Sequence, residues 1–228
     1  MRIPFTRFGL PQVLVYPLLV IILMLVLFLI FKPAWWLFPA EPILFIVLLW
    51  MLSFFRDPGR TTVPDENTLY SPADGTITDI DEVEGVLETA GTPARALRIG
   101  MFLSIFNVHI NRVPCSVRIE KVTYKKGQFK NAMSPESSRV NESNDIFMTR
   151  LSDPKDRLLV RQVSGAIARH IVCEGREGSE YRQGEAFGMI KFGSRTELYI
   201  PLQGNYEVSV KIGDKVRAGL TPLVRCRQ

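Results

Sequence analysis

The sequence predicts a mainly β domain of the α+β class, with barrel-sandwich-like strands, that is preceded by an N-terminal hairpin of two membrane helices. Two observations carry this prediction. The first 55 of the 228 residues contain only four formally charged side chains, Arg2, Arg7, Lys32 and Glu41. From Arg56 onward, apolar residues recur mostly with a period of two, which is typical of strands that bury one face. The apolar fraction of 46% excludes a chain that is disordered throughout.

The first membrane helix is predicted at about residues 13–31. Val13 to Phe31 form a run of 19 residues without a charge. As a helix this run measures about 28 Å, close to the hydrocarbon thickness of a bilayer. Pro17 lies near its start, where a helix tolerates proline best. The run is too long for a signal peptide and no small-residue cleavage site follows it, so we expect a permanent anchor.

A second apolar segment extends over about residues 35–55, after a short connection at Lys32. Two interpretations of this segment stay open. In the first, it crosses the membrane again and completes a hairpin, so that residues 1–55 form the anchor. In the second, it lies at the interface, with Trp35, Trp36 and Trp50 at the level of the lipid headgroups.

Basic residues at both flanks of the anchor predict its orientation. Arg2 and Arg7 precede the first apolar segment, and Arg56 and Arg60 follow the second. Because cytoplasmic flanks carry an excess of Lys and Arg, both ends are expected in the cytoplasm. The domain formed by residues 56–228 then lies on the cytoplasmic side of the cell membrane.

Cysteine and histidine usage narrows the chemistry of the domain. Cys115, Cys173 and Cys226 are widely spaced and form no C-x-x-C pair, which favours reduced, packed thiols over disulfides or a zinc site. With only His109 and His170, a multi-histidine metal centre is excluded and no metal is expected. No nucleotide-binding or zincin motif occurs.

The predicted strands share alternating apolar residues and are separated by turn residues such as Asp74-Gly75 and Gly213-Asp214. They are residues 76–83, 96–103, 117–124, 146–151, 157–163, 167–174, 197–201 and 206–211. Residues 128–144 are polar and are predicted to form a long functional loop. The turns at 71–77 and 210–219 resemble half-motifs of lipoyl-like barrel-sandwich domains, although a short match of this kind is also typical of an ordinary β-turn.

Residues 106–114 carry the first candidate chemistry. If this segment is extended, His109 and Asn111 share a face, and two interpretations remain equal: an acid–base site, or a structural histidine at the start of a strand. Arg112 either grips a phosphate bidentately or is a solvated surface charge. His170 is interpreted as a structural strand residue.

A glycine–serine pair carries the second candidate chemistry. Gly193 lets the backbone bend so that the Ser194 hydroxyl approaches the preceding carbonyl carbon. That approach is the geometry of an N-to-O acyl shift, but a Gly-Ser dipeptide is also common in loops.

Taken together, the motifs of the chain resemble those of the short, bacterial and archaeal form of the phosphatidylserine decarboxylase proenzymes. Five stretches match in the family's order, namely residues 54–60 (FFRDPGR), 71–75 (SPADG), 106–114 (FNVHINRVP), 127–132 (GQFKNA) with Asn141-Glu142, and 188–195 (GMIKFGSR). Each motif is weak alone, whereas five in register form a specific pattern.

The resemblance implies an enzyme that cleaves itself between Gly193 and Ser194. The products would be a β chain, residues 1–193, and an α chain, residues 194–228. Ser194, the nucleophile, would become a pyruvoyl group, which is the covalent cofactor. This group forms a Schiff base with the serine amine of phosphatidylserine and accepts electrons as CO2 leaves, so that phosphatidylethanolamine is the product.

The resemblance also suggests roles for other residues. His109 is the candidate general acid/base, and Asp74 supports self-cleavage. Longer relatives carry a second histidine at the position of Arg112, so His109 either serves both reactions or self-cleavage relies on Asp74 with less help. Asn111, Arg112 and Lys130 are the candidate substrate-binding residues.

The expected partners are a phospholipid in the membrane and the chain's own two fragments, with no nucleic acid. A homo-oligomer is left open. Two other functions compete with this interpretation. One is a membrane-bound serine hydrolase that uses Ser194 and His109, although the chain has no G-x-S-x-G elbow. The other is a non-enzymatic membrane adaptor with a barrel-sandwich domain.

Overall fold

The computed structural model of the chain forms two compact units, Met1–Gly59 and Arg60–Gln228. The residues that it describes are 5–30, 40–89, 92–134, 136–165, 170–191, 194–202 and 206–226.

The N-terminal unit consists of two apolar helices, α1 (Leu10–Ile30) and α2 (Ala40–Phe54). The stretch Arg7–Ile30 has 24 residues, and its most apolar 18 residues have a mean hydropathy of 3.3 and none of them is buried, so it is long and apolar enough to cross a membrane. The apolar stretch Glu41–Phe54 is shorter than a full span. The chain therefore has one helix of membrane-spanning length among its described residues, and the predicted connection at Lys32 lies outside them.

The two ends of this helix pair are joined by backbone hydrogen bonding. Thr6, which precedes α1, donates its N–H to the carbonyl of Phe55, which follows α2, at 2.8 Å. Phe5 and Arg56 form an isolated antiparallel bridge beside it. The start of α1 and the end of α2 therefore lie side by side.

The second unit is almost entirely β-structure. Its elements are β1 (Thr68–Tyr70), β2 (Gly75–Thr89), β3 (Thr92–Leu103), β4 (Ile110–Arg112), β5 (Val117–Lys125), the one-turn helix α3 (Ser137–Val140), β6 (Ser143–Arg150), β7 (Arg157–Ser164), β8 (Ile171–Cys173), β9 (Glu180–Tyr181), β10 (Ala186–Ile190), β11 (Ser194–Pro201), β12 (Tyr206–Val208), β13 (Lys215–Val216) and β14 (Pro222–Cys226).

These strands pair antiparallel in three sheets within the described residues. The large sheet has the order β13-β2-β3-β11-β7-β6-β5-β9, and the two small sheets have the orders β4-β10-β8 and β1-β14-β12. Strand β11 is therefore an interior strand, with β3 on one side and β7 on the other. This position places residue 194 inside the sheet rather than in a loop.

The main hydrophobic core lies against one face of the large sheet. Alternate residues of its interior strands supply it, including Ile99 and Met101 of β3, Leu158 and Val160 of β7, and Leu198 of β11. All five are completely buried. The same face becomes polar toward the end of β11 that carries Ser194, and that change marks the candidate site.

Each of the eight predicted strands overlaps an observed strand. Part of the predicted strand 167–174 lies outside the described residues, and β8 covers its second half. The predicted loop 128–144 contains α3 and the beginning of β6. The short strands β1, β4, β9, β10, β13 and β14 had no predicted counterpart.

Candidate active site

Ser194 begins β11 in the interior of the large sheet. Its Cα partners are Leu103 on β3 and Ser164 on β7. Every residue of β11 is buried. Because side chains alternate along a strand, Ser194 and Thr196 share the face of the main core, and Arg195 points to the opposite face.

A set of buried polar residues lies between the large sheet and the β4-β10-β8 sheet, and we call it the inner polar layer. Its members are Asn111, Asn144, Gln162, Ser164, Ser194 and Thr196. The Asn111 side chain joins the two sheets, because its Nδ2 donates to Thr196 Oγ1 at 3.0 Å and its Oδ1 accepts from Gln162 Nε2 at 2.8 Å. Gln162 Oε1 in turn accepts from Asn144 Nδ2 at 3.3 Å. These bonds fix the amide orientations in the layer.

Two hydroxyls of this layer stand apart. The Oγ atoms of Ser194 and of its cross-strand partner Ser164 are buried and have no hydrogen-bond partner among the described residues. Buried polar atoms are normally hydrogen-bonded, and an exception needs an explanation. One explanation is that the hydroxyl takes part in a reaction. Another is that it forms its hydrogen bond with a ligand that binds there.

His109 lies immediately before β4 and is completely buried. Its Nδ1 lies 3.0 Å from the carbonyl oxygen of Asn107. Because a carbonyl oxygen only accepts, Nδ1 carries a hydrogen and Nε2 is the nitrogen that gains or loses a proton. The backbone carbonyl of His109 accepts from the N–H of Ile190 at 3.2 Å, which continues the β4–β10 pairing.

Asp74 occupies the turn before β2, where it is buried in an ion pair. Arg60 donates from Nη1 to Oδ1 at 2.5 Å and from Nη2 to Oδ2 at 2.7 Å. The N–H of Ala218 also donates to Oδ1, at 2.8 Å. Among the described residues, Asp74 forms no hydrogen bond with His109. The structure therefore joins Asp74 to Arg60 and Ala218.

The candidate substrate-binding residues fall in two environments. Arg112 is buried, and its Nη1 donates to the carbonyl oxygen of Gly184 at 2.9 Å. Lys130 has a half-exposed ammonium 3.9 Å from a Glu136 oxygen. Its backbone is held by the Asn141 side chain, which accepts from the N–H of Lys130 and donates to its carbonyl oxygen, both at 2.8 Å.

The loop that carries Lys130 adjoins the inner polar layer. Asn141 Nδ2 also donates to the backbone carbonyl of Ser164 at 2.8 Å. The N–H of Ser164 donates to the carbonyl of Glu142 at 2.9 Å. Because Ser164 is the cross-strand partner of Ser194, these bonds place the loop beside the candidate site.

The sequence analysis assigned no role to two charged residues next to the predicted scission site, although both lie in the motif of residues 188–195. Lys191 is buried, and burial lowers the pKa of its ammonium below the ordinary value of 10.5. Arg195 is completely buried in an ion-pair network. A signal was present in both cases, since each is a lone cation within a run of apolar or alternating residues. Gly193, whose carbonyl Ser194 was predicted to attack, lies outside the described residues.

Comparison with known proteins adds the family. A family model for phosphatidylserine decarboxylase matches residues 47–223. The chain belongs to the phosphatidylserine decarboxylase family. The resemblance found in the five motifs is thereby confirmed.

Individual members of the phosphatidylserine decarboxylase family match over most of the chain. The proenzyme of Pelagibacter ubique is 40% identical over 180 residues, which cover 79% of this chain and 81% of the relative. The proenzyme of Rhodopirellula baltica is 37% identical over 226 residues, covering 99% of this chain and 90% of the relative. That of Carboxydothermus hydrogenoformans is 40% identical over 185 residues, covering 81% and 84%.

Proposed function

We propose that this chain is a self-processing, membrane-bound phosphatidylserine decarboxylase that converts phosphatidylserine into phosphatidylethanolamine and CO2. The observation that carries the proposal is the Ser194 hydroxyl, which is buried without a hydrogen-bond partner among the described residues. It stands at the first residue of an interior strand, inside a layer of fixed amides. Family membership supplies the reaction class.

The first step of the proposal is the maturation of the chain. The Ser194 Oγ attacks the carbonyl carbon of Gly193 and replaces the peptide bond with an ester. β-Elimination of the ester then releases the long N-terminal fragment, residues 1–193, as a free carboxylate and leaves dehydroalanine at residue 194. Hydrolysis of its imine tautomer consumes one water, releases ammonia and leaves a pyruvoyl group at the start of the short fragment, residues 194–228. A base must take the hydroxyl proton in the attack, and an acid must protonate the departing amine.

The surroundings of Ser194 fit such a group. Its conversion removes the hydroxyl oxygen, which has no hydrogen-bond partner among the described residues, so none of the hydrogen bonds described for the layer is broken. Ser194, Thr196 and Asn111 are all completely buried, which shields the site from bulk solvent. The pyruvoyl carbonyl would supply the electron sink for the pair of electrons that decarboxylation leaves on the lipid headgroup. The protein's side chains bind, orient and exchange protons around it.

We assign proton transfer to His109. It precedes Asn111 by two residues, as Ser194 precedes Thr196, and the side chains of Asn111 and Thr196 are hydrogen-bonded. An extended backbone therefore directs His109 toward the same layer as Ser194. The bond between Nδ1 and the Asn107 carbonyl leaves Nε2 as the proton-exchanging atom, which suits a general acid that protonates the headgroup carbon.

Asp74 supports self-cleavage in this proposal through the turn in which it lies. The carbonyl oxygen of Pro72, in the same turn, accepts from the N–H of Arg112 at 2.9 Å and from Asn111 Nδ2 at 3.4 Å. Arg60 and Ala218 hold the other side of the turn by their bonds to the Asp74 carboxylate. Asp74 thus fixes the turn against the strand that follows His109.

We propose that the substrate is held by Asn111, Arg112 and Lys130. The lipid brings a phosphate and a carboxylate, and both are anions that Arg and Lys bind well. The half-exposed ammonium of Lys130, on the loop beside Ser164, suits a contact with the phosphate. Asn111 belongs to the inner polar layer and suits a contact with the serine headgroup.

We further propose that residues 1–55 form a helical hairpin with both ends in the cytoplasm, ahead of the catalytic domain at residues 56–228. The bond between Thr6 and Phe55 supports the hairpin, because it requires the start of α1 and the end of α2 to be neighbours. Arg7 and Arg56 at these ends support the orientation. Such an anchor keeps the active site beside a substrate that stays in the bilayer.

A denaturing gel tests the proposal directly. Purified wild-type protein is expected to give two fragments, the smaller with 35 residues and an N-terminus blocked to Edman degradation. The variant Ser194→Ala should stay in one piece. Ser164→Ala, which removes the other hydroxyl of the layer that has no partner among the described residues, should still be cut. Decarboxylation of phosphatidylserine in detergent micelles should follow cleavage. A wild-type protein that remains a single chain with an intact Ser194 would refute the proposal, and it would favour the serine hydrolase.

A further inference from the structure

The residue after Ser194 is Arg195, and several buried hydrogen bonds fix its side chain. Arg195 lies on the face of β11 opposite the inner polar layer and is completely buried. Its Nη2 donates to both oxygens of Asp79, at 2.6 and 2.5 Å, and its Nη1 donates to Thr78 Oγ1 at 2.8 Å. Its Nε donates to Glu197 Oε1 at 2.6 Å. All three nitrogens of the guanidinium are therefore engaged.

The sheet is shaped to admit this guanidinium. Gly100 of β3 is the Cα partner of both Asp79 on β2 and Glu197 on β11. A Cβ atom at Gly100 would lie 2.0 Å from Arg195 Nη2. Only a glycine leaves the volume that the ion pair occupies.

The carboxylates around Arg195 are shared with a second arginine, Arg98. Burial alone would raise the pKa of Asp79, but the hydrogen bonds from Arg195 and Thr78 and the charges of Arg195 and Arg98 outweigh it and hold that pKa below its usual range. Arg98 Nη2 lies 3.3 Å from Asp79 Oδ1, and its Nη1 lies 4.0 Å from Glu197 Oε1. Two cations, Arg195 and Arg98, thus face the two buried carboxylates of Asp79 and Glu197, and burial strengthens the geometric constraint on each carboxylate. Arg98 Nη2 also pairs with the half-exposed Asp81, at 2.6 Å.

We propose that Arg195 is a positioning residue, which fixes the reacting group at residue 194 after cleavage through its ion pair with Asp79. The inference rests on the proposed function, because it concerns the group formed from Ser194. Before cleavage, the backbone holds residue 194 from both sides. After cleavage, residue 194 is a chain terminus, and a terminus frays unless it is tied down.

Arg195 is the first side chain that can tie it down, and its anchor lies on the other fragment. Asp79 and Thr78 belong to residues 1–193, whereas Arg195 belongs to residues 194–228. The ion pair therefore links the two fragments at the residue that follows the reacting group. A displacement of that group by about 1 Å is enough to lower a rate by about a hundredfold, because the reacting atoms lose their alignment.

The test compares Arg195→Lys with Arg161→Lys in the full-length protein. Lysine keeps the charge but cannot reproduce the three-way donation of the guanidinium. Arg161 is a matched control, since it also forms a bidentate pair, with Asp145 at 2.5 and 2.7 Å, and also lies on the outer face of the sheet. Its register partner on β11 is Glu197, three residues after Ser194.

The readouts are the extent of self-cleavage on a gel, kcat and KM for phosphatidylserine in mixed micelles, and the thermal midpoint. We expect Arg195→Lys to be cleaved and to lose about tenfold or more in kcat, with KM within about threefold of wild type. Arg161→Lys should keep its kcat even if its thermal midpoint falls by as much as that of Arg195→Lys. The double variant Arg195→Gln/Glu197→Gln, which removes one cation and one anion together, should repeat the loss in kcat if Arg195→Lys fails to fold.

Three results overturn the inference. The first is a kcat within about threefold of wild type in Arg195→Lys, or in the double variant if Arg195→Lys does not fold. The second is an equal loss of kcat in Arg161→Lys. The third is an effect of the Arg195 substitution on KM alone. The proposed function fails separately, since it requires the wild-type protein itself to be cleaved and to release CO2.

Discussion

The substitution Gly100→Ala should destabilise the protein through one identifiable clash. The added Cβ would lie 2.0 Å from Arg195 Nη2 and 2.5 Å from Asp79 Oδ2. The backbone at Gly100 is paired on both sides, with β2 and with β11, so it has no room to retreat. The guanidinium must therefore move.

The size of the effect follows from the distances. A contact of 2.0 Å is about 1.4 Å short of ordinary van der Waals separation, so the bonds of Nη2 to Asp79 are lost. Breaking a buried ion pair costs about 3–5 kcal/mol. The lower backbone entropy of alanine offsets about 0.5–1 kcal/mol of this cost, and Arg98 still faces Asp79 at 3.3 Å. We expect a net loss of about 3 kcal/mol, or a fall of about 6–12 °C in the thermal midpoint.

The assay is thermal unfolding in detergent, followed by far-UV circular dichroism, with every variant built on Ser194→Ala. Under the proposed function this background should keep the chain in one piece, so that melting would not release two fragments. Gly175→Ala is the matched control, because a Cβ there would meet Cys173 Sγ at an ordinary 3.4 Å. The control should melt within about 2 °C of the background. A Gly100→Ala variant that melts as the control does would refute the packing argument.

Three further predictions concern buried polar groups. Lys191→Met should raise the thermal midpoint at neutral pH. Because the pKa of Lys191 in the folded protein lies below 10.5, the unfolded chain binds more protons than the folded one below that pH. The stability of the wild-type protein should therefore rise as pH increases toward 10.5, and the variant should lack that rise. Arg60→Gln strands the buried carboxylate of Asp74 and should cost about 3–5 kcal/mol in thermal unfolding, whereas the exposed Arg118→Gln should cost under about 1 kcal/mol; equal effects would contradict this account. Asn141→Ala should cost about 1–3 kcal/mol and speed proteolysis of the Lys130 loop, and an unchanged cleavage rate would speak against its anchoring role.

The parts of the fold that sequence patterning could predict are the long strands of the large sheet. In β6 and β7, residues of the core face alternate with residues of the outer face, and this alternation is visible in the sequence. Strands β4 and β10 escaped prediction for the opposite reason. They are short and mostly buried, so polar residues do not alternate regularly with apolar ones.

The candidate site also has features that the sequence displays and features that only the fold produces. The motifs around Ser194 and His109 are local, and the sequence displays them. The partners of the charged residues cannot be inferred from sequence spacing, because the tertiary fold decides them. Asp74 meets Arg60, and Asp79 meets Arg195, which is 116 residues away. No spacing rule connects those two, and only the order β2-β3-β11 brings them together across the glycine on β3.

The interior position of β11 has a consequence for the life of the mature protein. The short fragment would contribute β11 between β3 and β7, β13 beside β2, and β14 beside β1. For this fragment to leave, the large sheet and the β1-β14-β12 sheet would both have to open, so separating the two pieces amounts to unfolding the domain. Exchange of fragments between folded molecules would therefore not be expected. Each molecule would prepare its reacting group once, and a damaged group would be replaced only by synthesis of a new chain.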